Sequence, residues 1–212
     1  MSKLLSKSFY IREDVLQVSK DLLGKILVSH VNHELTKGII VETEAYRAPD
    51  DKASHAFQNK LTPRTKTMFN EGGCAYVYIC YGIHQLFNVV TGPEGIAHVV
   101  LIRAVQPMEG MKLMCDRRSG MNPTKASICN GPGKFTKAMG ISKAHDGTSL
   151  MSRSSEIWIE DAPDIHAGAI IAGSRVGMKI AEESSNLPWR FRIAGYRWTS
   201  KPDQVYYKNW PL

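Results

Sequence analysis

The sequence predicts an α+β fold in a single domain spanning residues 1–212, and three observations carry that reading. Its 212 residues are 43% hydrophobic, enough to bury one sizeable core. Two pairs of β-rich runs stand at hairpin spacing, and helical spacing is confined to short stretches beside and between the strands. In chain order, Asp14 is placed to cap a helix with Val15, Val18 and Leu22 on one face, and Gly24 is placed to end it. Lys25 to Val31 and Thr36 to Tyr46 then form a hairpin across the polar Asn32-His33-Glu34. Residues 47–73 carry Pro49, Asp50, Asp51, Pro63, Gly72 and Gly73 with little periodicity, a long connection of the kind kept for binding, and His55 lies in it. Tyr76 to Cys80 and Phe87 to Val90 form a second hairpin with Tyr81-Gly82 as its turn. Ala97 to Ile102 is a further strand ending at Arg103, and Pro107 to Arg118 follows as a Met-rich helical segment whose methionines belong to the core. Asn130-Gly131-Pro132-Gly133-Lys134 breaks the pattern ahead of another helix, and the last third alternates turns with short strands such as Ile157-Trp158-Ile159.

Charge and cysteine content narrow the partners. Twenty-seven Lys and Arg against 20 Asp and Glu leave a net charge of +7, which favours a polyanion such as nucleic acid, although a merely basic protein would have the same balance. No stretch approaches the roughly 20 apolar residues that span a bilayer, and the N-terminus lacks an apolar run with a cleavage site. An intracellular protein without membrane contact is expected, in the cytoplasm or nucleoid if the source is bacterial. Cys74, Cys80, Cys115 and Cys129 show no C-x-x-C spacing, so neither a metal site nor a disulfide framework is expected, only reduced and mostly buried thiols.

The run Ile40 to Tyr46 is unusual for a strand in a basic chain, because alternation sends Glu42, Glu44 and Tyr46 to the face of Ile40. Acids there are either solvent-facing or buried for chemistry. Tyr81 on a hairpin tip is an exposure liability unless the ring is a wedge; the plainer possibility is a tyrosine folded back on the sheet. Enzymes that act on a base rotate it out of the stack, so a wedge would fill the vacated gap, and Tyr46, Tyr78 and His55 could enclose the extruded base. Asn88 could test the base edge or simply satisfy backbone. Arg103 and Lys134 are candidate phosphate contacts, with a solvated charge equally good for Lys134.

Together, Val41-Glu42-Thr43-Glu44-Ala45-Tyr46, Ser54-His55-Ala56-Phe57, Thr62-Pro63-Arg64 through Met68-Phe69, and Tyr76-Val77-Tyr78 through Tyr81-Gly82 resemble the alkyladenine (3-methyladenine) DNA glycosylase family. The likeness continues through Asn88-Val89-Val90, Leu101-Ile102-Arg103-Ala104, Gly131-Pro132-Gly133-Lys134 and Arg175-Val176-Gly177 to Trp189-Arg190-Phe191. The resemblance implies a monomer with a curved, mainly antiparallel sheet, flanking helices and a projecting DNA-intercalating hairpin. It implies double-stranded DNA with alkylated purines as the partner and no cofactor. Glu44 would be the general base, Tyr46, His55 and Tyr78 would enclose the base, Asn88 would reject guanine, Tyr81 would intercalate, and Arg103 would hold the backbone. Gly195-Tyr196-Arg197-Trp198-Thr199 departs from the shorter Gly-Asn-like segment usual in the family, and its bulk is expected at a DNA-facing surface or the pocket rim.

An alkylated purine is cationic and leaves without full protonation, so one carboxylate that deprotonates water and faces the oxocarbenium-like transition state suffices. Glu42, about 7 Å along the strand, leaves a two-carboxylate scheme open but is weighted as structural. With no lysine clearly placed for a Schiff base, hydrolysis without strand cleavage is expected. A non-catalytic nucleic-acid-binding module and a small-nucleoside hydrolase are the competing readings; the first has no use for Glu44, the second none for Tyr81.

Overall fold

The computed structural model describes residues 2–177 and 182–200. Its strands are β1 (Ile26–Val31), β2 (Glu34–Tyr46), β3 (Ala75–Cys80), β4 (His84–Thr91), β5 (His98–Glu109), β6 (Ile157–Glu160), β7 (Ile170–Gly173) and β8 (Arg190–Ile193). The helices are α1 (Lys7–Tyr10), α2 (Val15–Asp21), α3 (Met111–Arg117), α4 (Pro132–Met139) and α5 (Glu182–Ser185). One open eight-stranded sheet runs β3-β4-β5-β2-β1-β6, with β8 paired to β2 and β7 to β8. Every pairing is antiparallel. Among the described residues no helix is long and apolar enough to cross a membrane.

Long strand β2 is the axis. Its first half pairs with β1, and its second half meets β8 at Glu42–Glu44, while β5 runs along the other edge for nearly its whole length. The β1–β2 turn is Asn32-His33, both at positive φ, the backbone that a two-residue hairpin with right-twisted strands requires. Strand β2 therefore begins at Glu34, two residues earlier than expected. Asp14 caps α2 by accepting from the Gln17 N–H, and Gly24 adopts φ 86° beyond the helix, as the spacing predicts.

Strand alternation separates two cores. Ala75, Val77, Phe87, Val89, Val100, Ile102 and Ala104 face the large core with Val18 of α2, Leu22 just beyond that helix, Met114 of α3 and Phe135 of α4. On the opposite face Tyr76, Val90 and Val99 form a smaller cluster with Ala48, Ala56 and Met68 of the 47–73 connection. That connection thus roofs the second face, where Tyr46 and Tyr78 also pack. With both faces covered, Ile39 to Ala45 are all buried, so neither Glu42 nor Glu44 is the solvent-facing acid of a half-buried strand.

Several boundaries differ from expectation. Strand β5 continues six residues past Arg103 to Glu109, which places Arg103 in mid-strand. Gly110, at φ 77° with no room for a Cβ beside Leu35 O (2.5 Å), ends the strand, so the helix starts at Met111 rather than Pro107. Met114 is core, but Met108 is 50% exposed on the strand end. Pro132 occupies the first turn of α4, so Lys134 sits inside that helix and not in a turn; proline's fixed φ suits a helix start as well as a turn. Cys115 and Cys129 are buried, whereas Cys74 and Cys80 are partly exposed, and all four are free thiols.

Candidate active site

Irregular pairing between β2 and β5 builds the centre of the site. Glu42 is opposite Ala104 and Thr43 opposite Ile102, which leaves Arg103 as the extra residue of β5. Such a bulge re-aims a side chain. Here it sets Arg103 Nε 2.9 Å from Glu42 Oε1 and Nη1 3.2 Å from Glu44 Oε1. Thr43 faces the other way, donating to Ser19 O of α2 at 2.9 Å.

Glu44 is fully buried by its neighbours yet lines a cleft of about 890 Å³. Its Oε1 accepts from the Val176 N–H at 2.8 Å and its Oε2 from the Tyr46 hydroxyl at 2.8 Å. Burial pushes the Glu44 pKa up, because desolvation disfavours the charged form, and Arg103, the Val176 amide and Tyr46 pull against it. Burial, then the adjoining Glu44 charge, keeps Tyr46 a neutral donor by raising its pKa well above 10.0. Glu42 is equally buried but holds different company: Arg190 Nη1 at 3.3 Å and the Ser200 hydroxyl at 2.7 Å join Arg103 on its Oε1.

The aromatic groups converge beside Glu44. Tyr46, His55, Tyr76, Tyr78 and Asn88 enclose a small cavity of about 40 Å³ that continues the cleft inward. Tyr76 and Tyr78 stack at 5.5 Å, and the His55 ring stands edge-on to Tyr78 at 4.6 Å. Arg64 Nη2 lies 3.1 Å from His55 Nε2. A guanidinium only donates, so Nε2 must accept, the proton is on Nδ1, and Nδ1–H donates to the Tyr76 hydroxyl 3.0 Å away. Burial, followed by the Arg64 charge, holds the His55 pKa down at about 4, so the ring is neutral near pH 7. Behind Tyr46, the Arg175 guanidinium covers the ring at 4.7 Å and is itself locked on Asp51 by bonds of 2.6 and 2.8 Å. Asn88 is buried, with its amide nitrogen on Tyr76 O at 3.0 Å, which fixes the orientation of the side chain.

At the mouth, Tyr81 (87% exposed) and Ile83 (73%) stand out from the β3–β4 tip, where Tyr81 and Gly82 take positive φ. The folded-back tyrosine is therefore not what the chain adopts. Lys134 is exposed on the rim and holds Asn130 Oδ1 at 3.0 Å. Glu44, Tyr46, His55, Tyr78, Tyr81, Arg103 and Lys134 all line the one cleft, and Asn88 joins them through the inner cavity.

Four contributors escaped sequence reasoning: Tyr76, Arg64, the Arg175–Asp51 pair and the Val176 amide. Tyr76 shares the alternation of Tyr78 and was there to be found; a backbone N–H carries no side-chain signature. None of Tyr196, Arg197 and Trp198 lines the cleft, and of the three only Arg197 is exposed. Tyr196 is buried with its hydroxyl on Gln106, and Trp198 packs against the large core.

The site thus joins an aromatic slot, a buried carboxylate at its edge and an exposed hydrophobic hairpin at its mouth. The chain belongs to the methylpurine-DNA glycosylase family, whose model matches residues 8–197. It is 44% identical over 196 residues to a protein of Chlamydia felis, covering 90% of this chain and 96% of that one. A protein of Alkaliphilus oremlandii is 45% identical over 195 residues (89% and 95%), and one of Natranaerobius thermophilus 43% over 184 residues (87% and 92%). All three are provisionally named 3-methyladenine DNA glycosylases.

Proposed function

We propose that this chain is a monofunctional DNA glycosylase that takes an alkylated purine, such as 3-methyladenine, rotated out of duplex DNA and hydrolyses its N-glycosidic bond, leaving an abasic site. The observation that carries the reading is Glu44: a fully buried carboxylate lining the cleft between an aromatic slot and the exposed Tyr81 hairpin. A pure binding module has no use for a buried acid in a basic chain, where it opposes phosphate.

In this reading Tyr81 fills the gap left by the flipped nucleotide, whose unstacking costs about a few kcal/mol. Tyr46, His55 and Tyr78 hold the base by stacking, and Asn88, with its amide fixed on Tyr76 O, opposes the exocyclic amino group of guanine. Glu44 takes a proton from water; the water oxygen bonds to C1′ while the C1′–N bond breaks and its electron pair neutralises the cationic base. Arg103 meets the backbone of the extruded nucleotide from within the cleft and Lys134 from its rim. Among the described residues the groups bonded to Glu44 are Tyr46, the Val176 amide and Arg103, with no lysine among them, which favours hydrolysis over Schiff-base strand cleavage. In this reading the chain works as a monomer on duplex DNA inside the cell. The nucleoside-hydrolase reading needs Glu42 as a second ligand-facing acid, and its three partners on Oε1 speak against that.

Mass-spectrometric detection of 3-methyladenine freed from methylated duplex DNA tests the proposal, with Glu44→Gln as the control that binds but releases base at least about 100-fold more slowly. DNA binding without release by the wild-type chain would overturn it in favour of a binding module.

A further inference from the structure

Glu42 lies on the same buried strand as Glu44 but takes no part in the chemistry proposed above. Its Oε1 takes Arg103 Nε, Arg190 Nη1 and the Ser200 hydroxyl, and its Oε2 takes the Ser200 N–H at 2.5 Å. Three donors crowd Oε1 and a fourth bonds Oε2 of a fully buried carboxylate, so Glu42 is committed to partners within the protein. Ser200 is delivered by the segment that follows β8: Tyr196 and Trp198 anchor it in the interior, and Thr199 is buried with its hydroxyl on Tyr196 O.

Arg103 is the link between the two acids. A guanidinium is a rigid fork that prefers to grip a carboxylate with two parallel N–H bonds. Gripped that way, the acceptor site left on Glu44 Oε2 beside the Tyr46 hydroxyl would also be filled, and the acid would be a poor base. Instead the Nε edge of Arg103 is turned to Glu42 and Nη2 to Ser200 Oγ at 3.5 Å, so only Nη1 is near Glu44. We propose that Glu42, clasped by Ser200, is a positioning residue: it holds Arg103 by the Nε edge and keeps the guanidinium from closing on Glu44, whose carboxylate stays available to water. This rests on Glu44 being the base. The charged and titratable groups facing Glu44 are Glu42 and Tyr46 on its own strand, Arg103 from β5, Tyr78 from β3 and Arg175 beyond β7; those facing Glu42 are Glu44, Arg103 and Arg190.

The test is the pH profile of single-turnover base release by the full chain, read beside the ¹³C titration of the Glu44 carboxyl. In Glu42→Gln, release at neutral pH is expected to fall about 10- to 100-fold. Its acid limb and the Glu44 titration should both move to lower pH, because Arg103 then serves Glu44 alone and the like charge of Glu42 is gone; Ser200→Ala, which keeps that charge, isolates the part due to Arg103. Ser200→Ala should do the same to a smaller extent. In an Arg103→Lys background, where no fork can close, Glu42→Gln should change the rate by less than about threefold. Release within about twofold of wild type, additive losses with Arg103→Lys, or a lost rate with the limb and titration unmoved would each overturn the clasp. If Glu42→Gln does not fold, an unshifted profile in Ser200→Ala overturns it. A wild-type chain that frees no base would instead sink the functional proposal, and the Glu44 titration in Ser200→Ala, where the Glu42 charge is kept, would still decide the clasp.

Discussion

Burying Glu44 destabilises the folded chain and makes the residue a better base, and both effects have one cause. Its folded pKa is raised above the ordinary 4.5, first by desolvation, so near neutrality the fold holds a charge that the unfolded chain would carry more easily. Below pH 4.5 both states are protonated and the penalty vanishes; as pH rises through the raised value it appears in full. Glu44→Gln, which mimics the protonated acid, should therefore raise Tm at pH 7, by about 2–4 °C per kcal/mol relieved at this chain length. The gain should shrink below pH 4.5. The same variant should lose about 10²–10⁴-fold in base release, the usual worth of a general base. A lower Tm at pH 7, or near-normal release, would remove Glu44 from this role. His55 has the opposite sign. Its pKa is depressed to about 4, so the neutral ring favours the fold above pH 6.5, and that contribution is lost as pH falls from 6.5 through about 4. ¹⁵N NMR at pH 7 should find the Nδ1–H tautomer, with Nε2 accepting from Arg64. A ring that titrates near 6.5 would contradict both the burial and the Arg64 contact.

At the scale of elements, the β3–β4 hairpin carries the most testable assignment. Tyr81 touches none of the slot residues through a hydrogen bond or ring contact and stands 87% exposed, so its proposed work is on the duplex rather than on the base. Tyr81→Ala should lower single-turnover release from a paired lesion by about tenfold or more, one decade per 1.4 kcal/mol of lost flipping energy. The same lesion in single-stranded DNA should be affected much less; equal losses on both would sink the wedge. How much of this was legible depends on whether local pattern decided it. The hairpins, the α2 cap and the opposite fates of Val77 and Tyr78 follow from periodicity and turn chemistry within a few residues. The second half of β5 does not, since Gln106 and Glu109 dilute its apolar run while pairing with β2 holds it extended. The bulge that aims Arg103 at Glu42 and Glu44 is likewise fixed by a partner strand some 60 residues away in the chain. Asp51 and Arg175 meet only because the connection folds over the second face, so their pairing behind Tyr46 is written nowhere near either residue.

For the whole molecule, the position of the positive charge matters more than its total. Net charge is +7, yet the acids nearest the cleft, Glu42 and Glu44, are buried against Arg103 and so contribute little repulsion at the surface. Arg64, Arg118, Lys134 and Lys137 line the cleft and pair with no carboxylate among the described residues. Basic side chains around an opening focus a field on it, and phosphates that dock there displace condensed counterions. If these four make one phosphate contact each, log K for duplex DNA should fall against log salt with a slope of about −3.6, at about 0.9 per neutralised phosphate. Lys134→Ala should reduce that slope by about one while weakening methylated and unmethylated duplexes alike, since a phosphate contact positions the DNA without reading the base. Glu44→Gln should leave the slope unchanged, because the carboxylate is buried among its own partners. An affinity that stays flat from low to moderate salt would mean that the basic rim does not meet a polyanion, and the aromatic slot would then have to be filled by a small free ligand.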